Sequence, residues 1–195
     1  SAEFDPLRTD LINANQLPAW TNSNITVFAT GVAAAVEDTV TALRYLQNNN
    51  PSDRCIDMTK IALWGGSAGA MTAMHTAYGL DEYSITFPQP GVVIDYWGSV
   101  FIDGMMSGND APFFIVHGEQ DSVVDHQEAL DLASEADSVG LKYAFYTVAG
   151  ADHGYSTIDI KAPVVNGATL LGLTMNFIDA HLKSGTPVYE TRTVN

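Results

Sequence analysis

A chain of 195 residues with 46% hydrophobic and 16% charged side chains can bury a sizeable core, and its composition excludes a disordered protein or a coiled coil. Its 23 acidic against 8 basic side chains give a formal net charge of −15, a surface that repels nucleic acid and anionic membranes, so neither partner is expected. No apolar stretch approaches bilayer-spanning length, no secretory leader opens the chain, and the single Cys55 excludes an internal disulfide.

In chain order, Asp5 to Trp20 reads as a helix, with Pro6 in its first turn and Leu7, Leu11 and Ala14 at helical spacing. Asn24–Ala29 reads as a strand. Ala33–Gln47 has Val36, Val40, Leu43 and Leu46 along one stripe, which predicts an amphipathic helix stopped by Pro51. Lys60–Trp64 is an apolar run of buried-strand type, and Ala70–Tyr78 a helix rich in small residues. Gly91–Trp97 and Phe113–Gly118 read as further strands, separated by a loop over Gly98–Ala111. Asp125–Val139 is a helix with Ala129, Leu132, Ala133 and Ala136 inward. Lys142–Val148 reads as the last strand and Asn166–Leu182 as the final helix. Strands alternating with helices predict an α/β fold: a three-layer α/β/α sandwich around a mostly parallel sheet. No repeat or linker divides residues 1–195, which read as a single domain.

Chemistry enters at Gly65-Gly66-Ser67-Ala68-Gly69, set between the strand Lys60–Trp64 and the helix Ala70–Tyr78. Strand, G-x-S-x-G and helix together form the signature of a nucleophile elbow. A serine at the apex of so tight a turn has a strained backbone and a hydroxyl clear of the sheet. Glycines two residues to either side allow strand and helix to pass without a Cβ clash. The helix N-terminus behind Ser67 places N–H groups where an oxyanion would form.

An acid and a histidine come later, in loops just past strand ends, where open α/β sheets place their functional groups. Glu119-Gln120-Asp121 comes after the strand ending at Gly118, and Ala151-Asp152-His153-Gly154 after the strand ending at Val148. Asp121 is preferred to Asp125, which suits the N-cap of the next helix. Glu119 faces the turn or solvent, and Asp152 adjoins His153 too closely in sequence to orient its ring. Of the other histidines, His117 closes an apolar strand and reads as structural. His75 lies within a helix, His126 begins one and His181 ends one. Their scatter suggests no metal site, and no cofactor is expected.

The stretch from about Thr26 to Lys183 resembles an α/β-hydrolase of the carboxylesterase or lipase type. The resemblance rests on Trp64-Gly65-Gly66-Ser67-Ala68-Gly69-Ala70, His117-Gly118-Glu119-Gln120-Asp121 and Asp152-His153-Gly154, in the order Ser, Asp, His. It implies a serine nucleophile at Ser67, a general base at His153 and an orienting acid at Asp121. It further implies that Ala68 donates one oxyanion N–H. The resemblance implies an ester substrate without identifying it. The loop Gly98–Ala111, too short for a large cap domain, predicts an open site for short-chain or aryl esters, with Gly66, Phe101, Met105 and Met106 as candidate pocket residues. A prolyl-oligopeptidase-like peptidase, which uses the same triad order, and a non-catalytic ligand-binding relative of the fold, in which the triad is usually eroded, stand as alternatives.

The chain departs from that family at one point. The glycine-rich loop that supplies the second oxyanion donor is absent upstream of the elbow, and the sequence from Ser1 resembles the segment just downstream of that loop. A strand that pairs between Asn24–Ala29 and Lys60–Trp64 is missing as well, and Thr30-Gly31-Val32 makes a short connection. The expectation is therefore a portion of a longer hydrolase that lacks the first strands. The competing expectation is a sheet in which those two strands become neighbours.

Overall fold

Apolar runs that alternate between extended and helical periods assemble into one parallel sheet flanked by helices. The computed structural model describes residues 1–14, 25–49 and 56–195. The strands are β1 (Ala62–Gly66), β2 (Val92–Tyr96), β3 (Phe113–Gly118), β4 (Tyr143–Val148) and, at the far edge, β7 (Thr191–Val194). They lie in the order β1-β2-β3-β4-β7 and every pairing is parallel. β2 and β3 are buried along their whole length, which is why both are continuous apolar runs and not alternating ones.

Two layers of side chains cover the sheet. On one face α3 (Ala68–Tyr78) and α4 (His126–Val139) pack Met74, Tyr78, Leu132 and Ala136 on Val93, Phe113, Ile115 and Phe145. On the other, α5 (Leu170–Asp179) sets Leu170 and Phe177 against Ile94, Phe114, Val116 and Tyr146. α1 (Asp5–Asn13) and α2 (Ile25–Asn48) form a third cluster outside α3, in which Leu7, Leu11, Val36 and Val40 meet Met71 and Phe101. The cap expected at Asp125 is present: its carboxylate accepts the Gln127 N–H at 2.9 Å. α4 ends at Gly140 in the left-handed region, φ 75°.

Four expectations need correction. First, Thr26–Ala29 is not a strand. Its β-branched residues favour extended backbone, yet Ala29, Val32, Ala33, Val36 and Val40 continue one helical stripe that is buried on α1 and α3, while Val27 stands 65% exposed. Burial of that stripe overrides local propensity. Thr30-Gly31-Val32 therefore lies within α2, and no strand at Thr26–Ala29 flanks β1. Among the described residues β1 pairs only with β2, and Trp64 is 39% exposed. Second, α2 includes a stretch, Thr26–Asn48, that is long and apolar enough to cross a membrane; a third of its most apolar window is buried in the fold.

Third, Lys142–Val148 does not contain the last strand. β7 comes after it, and because Thr191-Arg192-Thr193 is polar and exposed no hydrophobic pattern announces it. Main-chain bonds hold it instead, with the Phe145 and Ala149 N–H groups donating to Glu190 and Val194 at 2.8 Å each. Fourth, the expected final helix is shorter at its start, where β5 (Pro163–Val165) and β6 (Ala168–Thr169) form a small antiparallel hairpin. It ends in a wider turn over Ala180–Ser184. Residues 15–20 of the first expected helix, Asn24, Pro51 and Cys55 lie outside the described residues.

Candidate active site

β1 stops at Gly66 and α3 starts at Ala68, so Ser67 is a single residue of turn, with φ 54° and ψ −123°. A side chain with positive φ costs of order 1–3 kcal/mol and persists where its surroundings over-determine it. Here the Ser67 N–H donates to the Tyr96 carbonyl at 2.8 Å, and the Ser67 carbonyl accepts the Met71 N–H at 3.0 Å. Gly65 permits the turn. A Cβ there would overlap the Gly69 carbonyl and the Ala70 nitrogen, whereas a Cβ at Gly69 would enter open space. Only the first of the two glycines is needed for close passage of strand and helix.

The loops after β3 and β4 bring the other two groups to the same edge. His153 Nε2 lies 2.9 Å from Ser67 Oγ, and His153 Nδ1 lies 2.7 Å from Asp121 Oδ2. A carboxylate only accepts, so Nδ1 carries the hydrogen and Nε2 presents its lone pair to the serine hydroxyl. Asp121 has no side-chain exposure, and its Oδ1 accepts the N–H groups of Val123 at 2.9 Å and Val124 at 2.8 Å. Burial alone pushes this carboxyl up. Hydrogen bonds from His117, His153, Val124 and Val123 outweigh burial and hold it down at about 2. It is therefore an anion throughout the neutral range.

Neighbouring acids are occupied elsewhere. Asp152 Oδ1 accepts from the Ser122 N–H at 2.7 Å, the Ser122 hydroxyl at 2.8 Å and the His153 N–H at 2.7 Å. It thus ties the loop that carries Asp121 to the loop that carries His153, a link with no sequence signature beyond an acid in the right loop. Glu119 accepts the Gly150 N–H at 2.9 Å and braces the same pair of loops. Replacing Asp121 with Asn is expected to lower kcat by about 10⁴-fold, because the amide no longer enforces the Nδ1–H tautomer. Asp152→Asn leaves three acceptor contacts weakened but the ring oriented, so its loss stays below about tenfold. Steady-state kinetics on a nitrophenyl ester separates the two.

The candidate pocket residues are dispersed. Gly66 adjoins Ser67, and a Cβ on it would come 3.3 Å from Trp97 Nε1. Phe101 is buried in the α1–α2 cluster, edge-on to Phe28 and stacked on His75. Met106 is buried in the α3–α4 core and Met105 packs against it. The side chains beside the site are instead Trp97, buried and at φ 46°, and Tyr155, 61% exposed. Their rings meet edge to face at 4.7 Å, and Trp97 lies 6.4 Å from the His153 ring. A tryptophan directly after a strand and a tyrosine two residues past a histidine were the available signals. Ala68 opens α3, and its first-turn N–H has no intrahelical acceptor. Among the described residues, no group of three or more His, Cys, Asp or Glu side chains is placed to hold a metal ion.

Comparison with known proteins agrees with this architecture. A model of the α/β hydrolase fold matches residues 30–94. No curated protein matches the sequence. Among solved structures, an α/β hydrolase enzyme from a Medee basin deep-sea metagenome library superposes with a TM-score of 0.59 at 20% identity, over 75% of this chain and 64% of its own. The apo form of Thermogutta terrifontis esterase 2 gives 0.61 at 17% identity, over 80% and 68%. A truncated carbohydrate esterase from gut microbiota gives 0.51 at 20% identity, over 60% of both chains. The chain thus spans roughly three fifths to two thirds of the length of these relatives, and at such identities the likeness is one of fold.

Proposed function

The chain has the α/β-hydrolase fold, and from it we propose a serine hydrolase that cleaves carboxylic esters through an acyl-enzyme at Ser67. The observation that carries the reading is the hydrogen-bonded line from Asp121 through His153 to Ser67. In it, Ser67 Oγ attacks the ester carbonyl while its proton passes to His153 Nε2. The tetrahedral oxyanion is met by the Ala68 N–H at the start of α3, where the helix dipole adds to the attraction. Collapse breaks the bond to the alkoxy group, which leaves as the alcohol with the proton from His153. Water then gives a proton to the same nitrogen as it attacks the acyl-enzyme. Collapse breaks the acyl bond to Ser67 Oγ, which takes back the proton from His153 as the acid is released. Asp121, anionic and buried, balances the imidazolium in both steps.

The substrate class is inferred from the side chains at the mouth of the site. Trp97 and exposed Tyr155 offer flat apolar contact, whereas Phe101, Met105 and Met106 are engaged in cores. A net charge of −15 disfavours polyanionic esters. Short-chain or aryl esters of low charge fit these conditions. A fluorophosphonate probe with subsequent peptide mass spectrometry tests the reaction class, and nitrophenyl esters of rising acyl length test the substrate. An adduct on Ser67 and an optimum at short acyl chains are expected. Absence of an adduct on the folded chain overturns the hydrolase reading, and an optimum at long chains overturns the substrate class.

A further inference from the structure

Strand β2 carries an acid where an apolar residue would be expected. Asp95 is fully buried; Oδ1 accepts the Gly98 N–H at 2.8 Å, and Oδ2 has no hydrogen-bond partner among the described residues. On the next strand His117 is also fully buried, and its Nδ1 has no partner among the described residues. The parallel register sets Asp95 opposite Ile115, so His117, two residues on, projects from the same face of the sheet. The two unsatisfied atoms belong to diagonal neighbours of complementary chemistry. Left single, each is a desolvated polar atom in a dry interior.

The other side of the His117 ring reaches the site. Nε2 lies 2.9 Å from the Val124 carbonyl, so it carries a hydrogen, and the same nitrogen lies 3.4 Å from Asp121 Oδ2. That oxygen is the one that accepts from His153. We propose that His117 is a positioning residue for the Ser67–His153–Asp121 triad, its buried Nε2–H set between the Val124 carbonyl and Asp121 Oδ2 and fixing the carboxylate that orients His153. The inference rests on the hydrolase reading of those three residues.

Surrounding charges agree. Burial pushes His117 down, but the hydrogen bond to Asp121, the Val124 carbonyl and the charges of Asp95 and Asp121 raise it above the ordinary histidine value. Burial pushes Asp95 up to about 6, with His117 and the Gly98 N–H pulling the other way. The remaining groups facing this pair come from three elements. α4 supplies His126, whose ring lies 5.8 Å from that of His117, and Glu128; α3 supplies the Tyr78 hydroxyl, donated to Ala111; and His153 stands behind Asp121. His126 is lowered, first by burial and then by the His117 charge, so it remains neutral at pH 7.

Histidine-selective NMR titration of the whole chain reads the charge without any need for turnover. In the wild-type protein the His117 midpoint is expected above the ordinary histidine value. Asp95→Asn is expected to lower the His117 midpoint, because a nearby anion is lost. In His117→Gln, kcat falls about 10- to 100-fold with KM little changed, since a looser carboxylate misplaces the base. An unchanged kcat in a folded His117→Gln protein, or a His117 midpoint that Asp95→Asn leaves unmoved, overturns the proposal. Failure of wild-type Ser67 to take the fluorophosphonate instead overturns the hydrolase reading, and the NMR midpoints still decide the role of His117.

Discussion

Ser67→Ala is expected to abolish fluorophosphonate labelling and to lower kcat on a nitrophenyl ester by about 10⁴- to 10⁶-fold, with the melting temperature almost unchanged. Removal of a triad serine costs the whole covalent route, and only the modest rate that oriented donors and binding confer is left. The fold survives because the Ser67 backbone, not its hydroxyl, holds the turn through Tyr96 and Met71. Its positive φ adds a second readout. Ser67→Gly loses the hydroxyl equally but relieves a conformation that costs a side chain about 1–3 kcal/mol. The glycine variant should therefore unfold at a higher temperature than the alanine variant. Equal melting temperatures for the two would show that the turn is not strained.

The second large effect falls on stability. Gly65→Ala is expected to destabilise the fold by at least about 4 kcal/mol, or to prevent folding, because the added methyl overlaps main-chain atoms of Gly69 and Ala70. Main chain at the junction of β1 and α3 cannot swing aside as a flexible side chain could. Gly69→Ala provides the contrast within the same motif. Its methyl meets nothing within 4 Å, and as a helical position it gains about 0.5–1 kcal/mol. Urea denaturation of the two variants decides the matter. A Gly65→Ala protein as stable as the wild type would mean that α3 can retreat from β1.

These two glycines illustrate how far the sequence could be read. The pattern G-x-S-x-G treats them alike, and the sequence alone assigned both to close packing. Which one touches its neighbour depends on the angle at which α3 leaves β1, a property of the packed layers. Asp125 shows the opposite case. Its role as N-cap is local, one side chain bonding an N–H two residues on, and it was legible without a fold. The misreading of Thr26–Ala29 has the same origin as the glycines. Ile25, Thr26, Val27 and Phe28 favour a strand by propensity, and the stripe that makes them a helix exists only because α1 and α3 lie beneath it. β7 could not be seen at all, since an exposed polar edge strand is held by main-chain bonds that carry no side-chain signal. Phe101, Met105 and Met106 looked available for a pocket because a loop at the carboxyl edge is the usual place for one, yet the cores nearby took them.

The sequence determined by itself the order β1-α3-β2-β3-α4-β4 and the positions of Ser67, Asp121 and His153 within it. Strand ends and turns are set by short-range periodicity and by glycines, and these place each of the three residues just past a strand. The tertiary structure decided which atoms meet: Nδ1 with Asp121, Nε2 with Ser67, and Asp152 with Ser122. The hydrogen bonds among these join residues 30 to 86 positions apart. They arise from strand register and layer packing, and a linear pattern has no term for either.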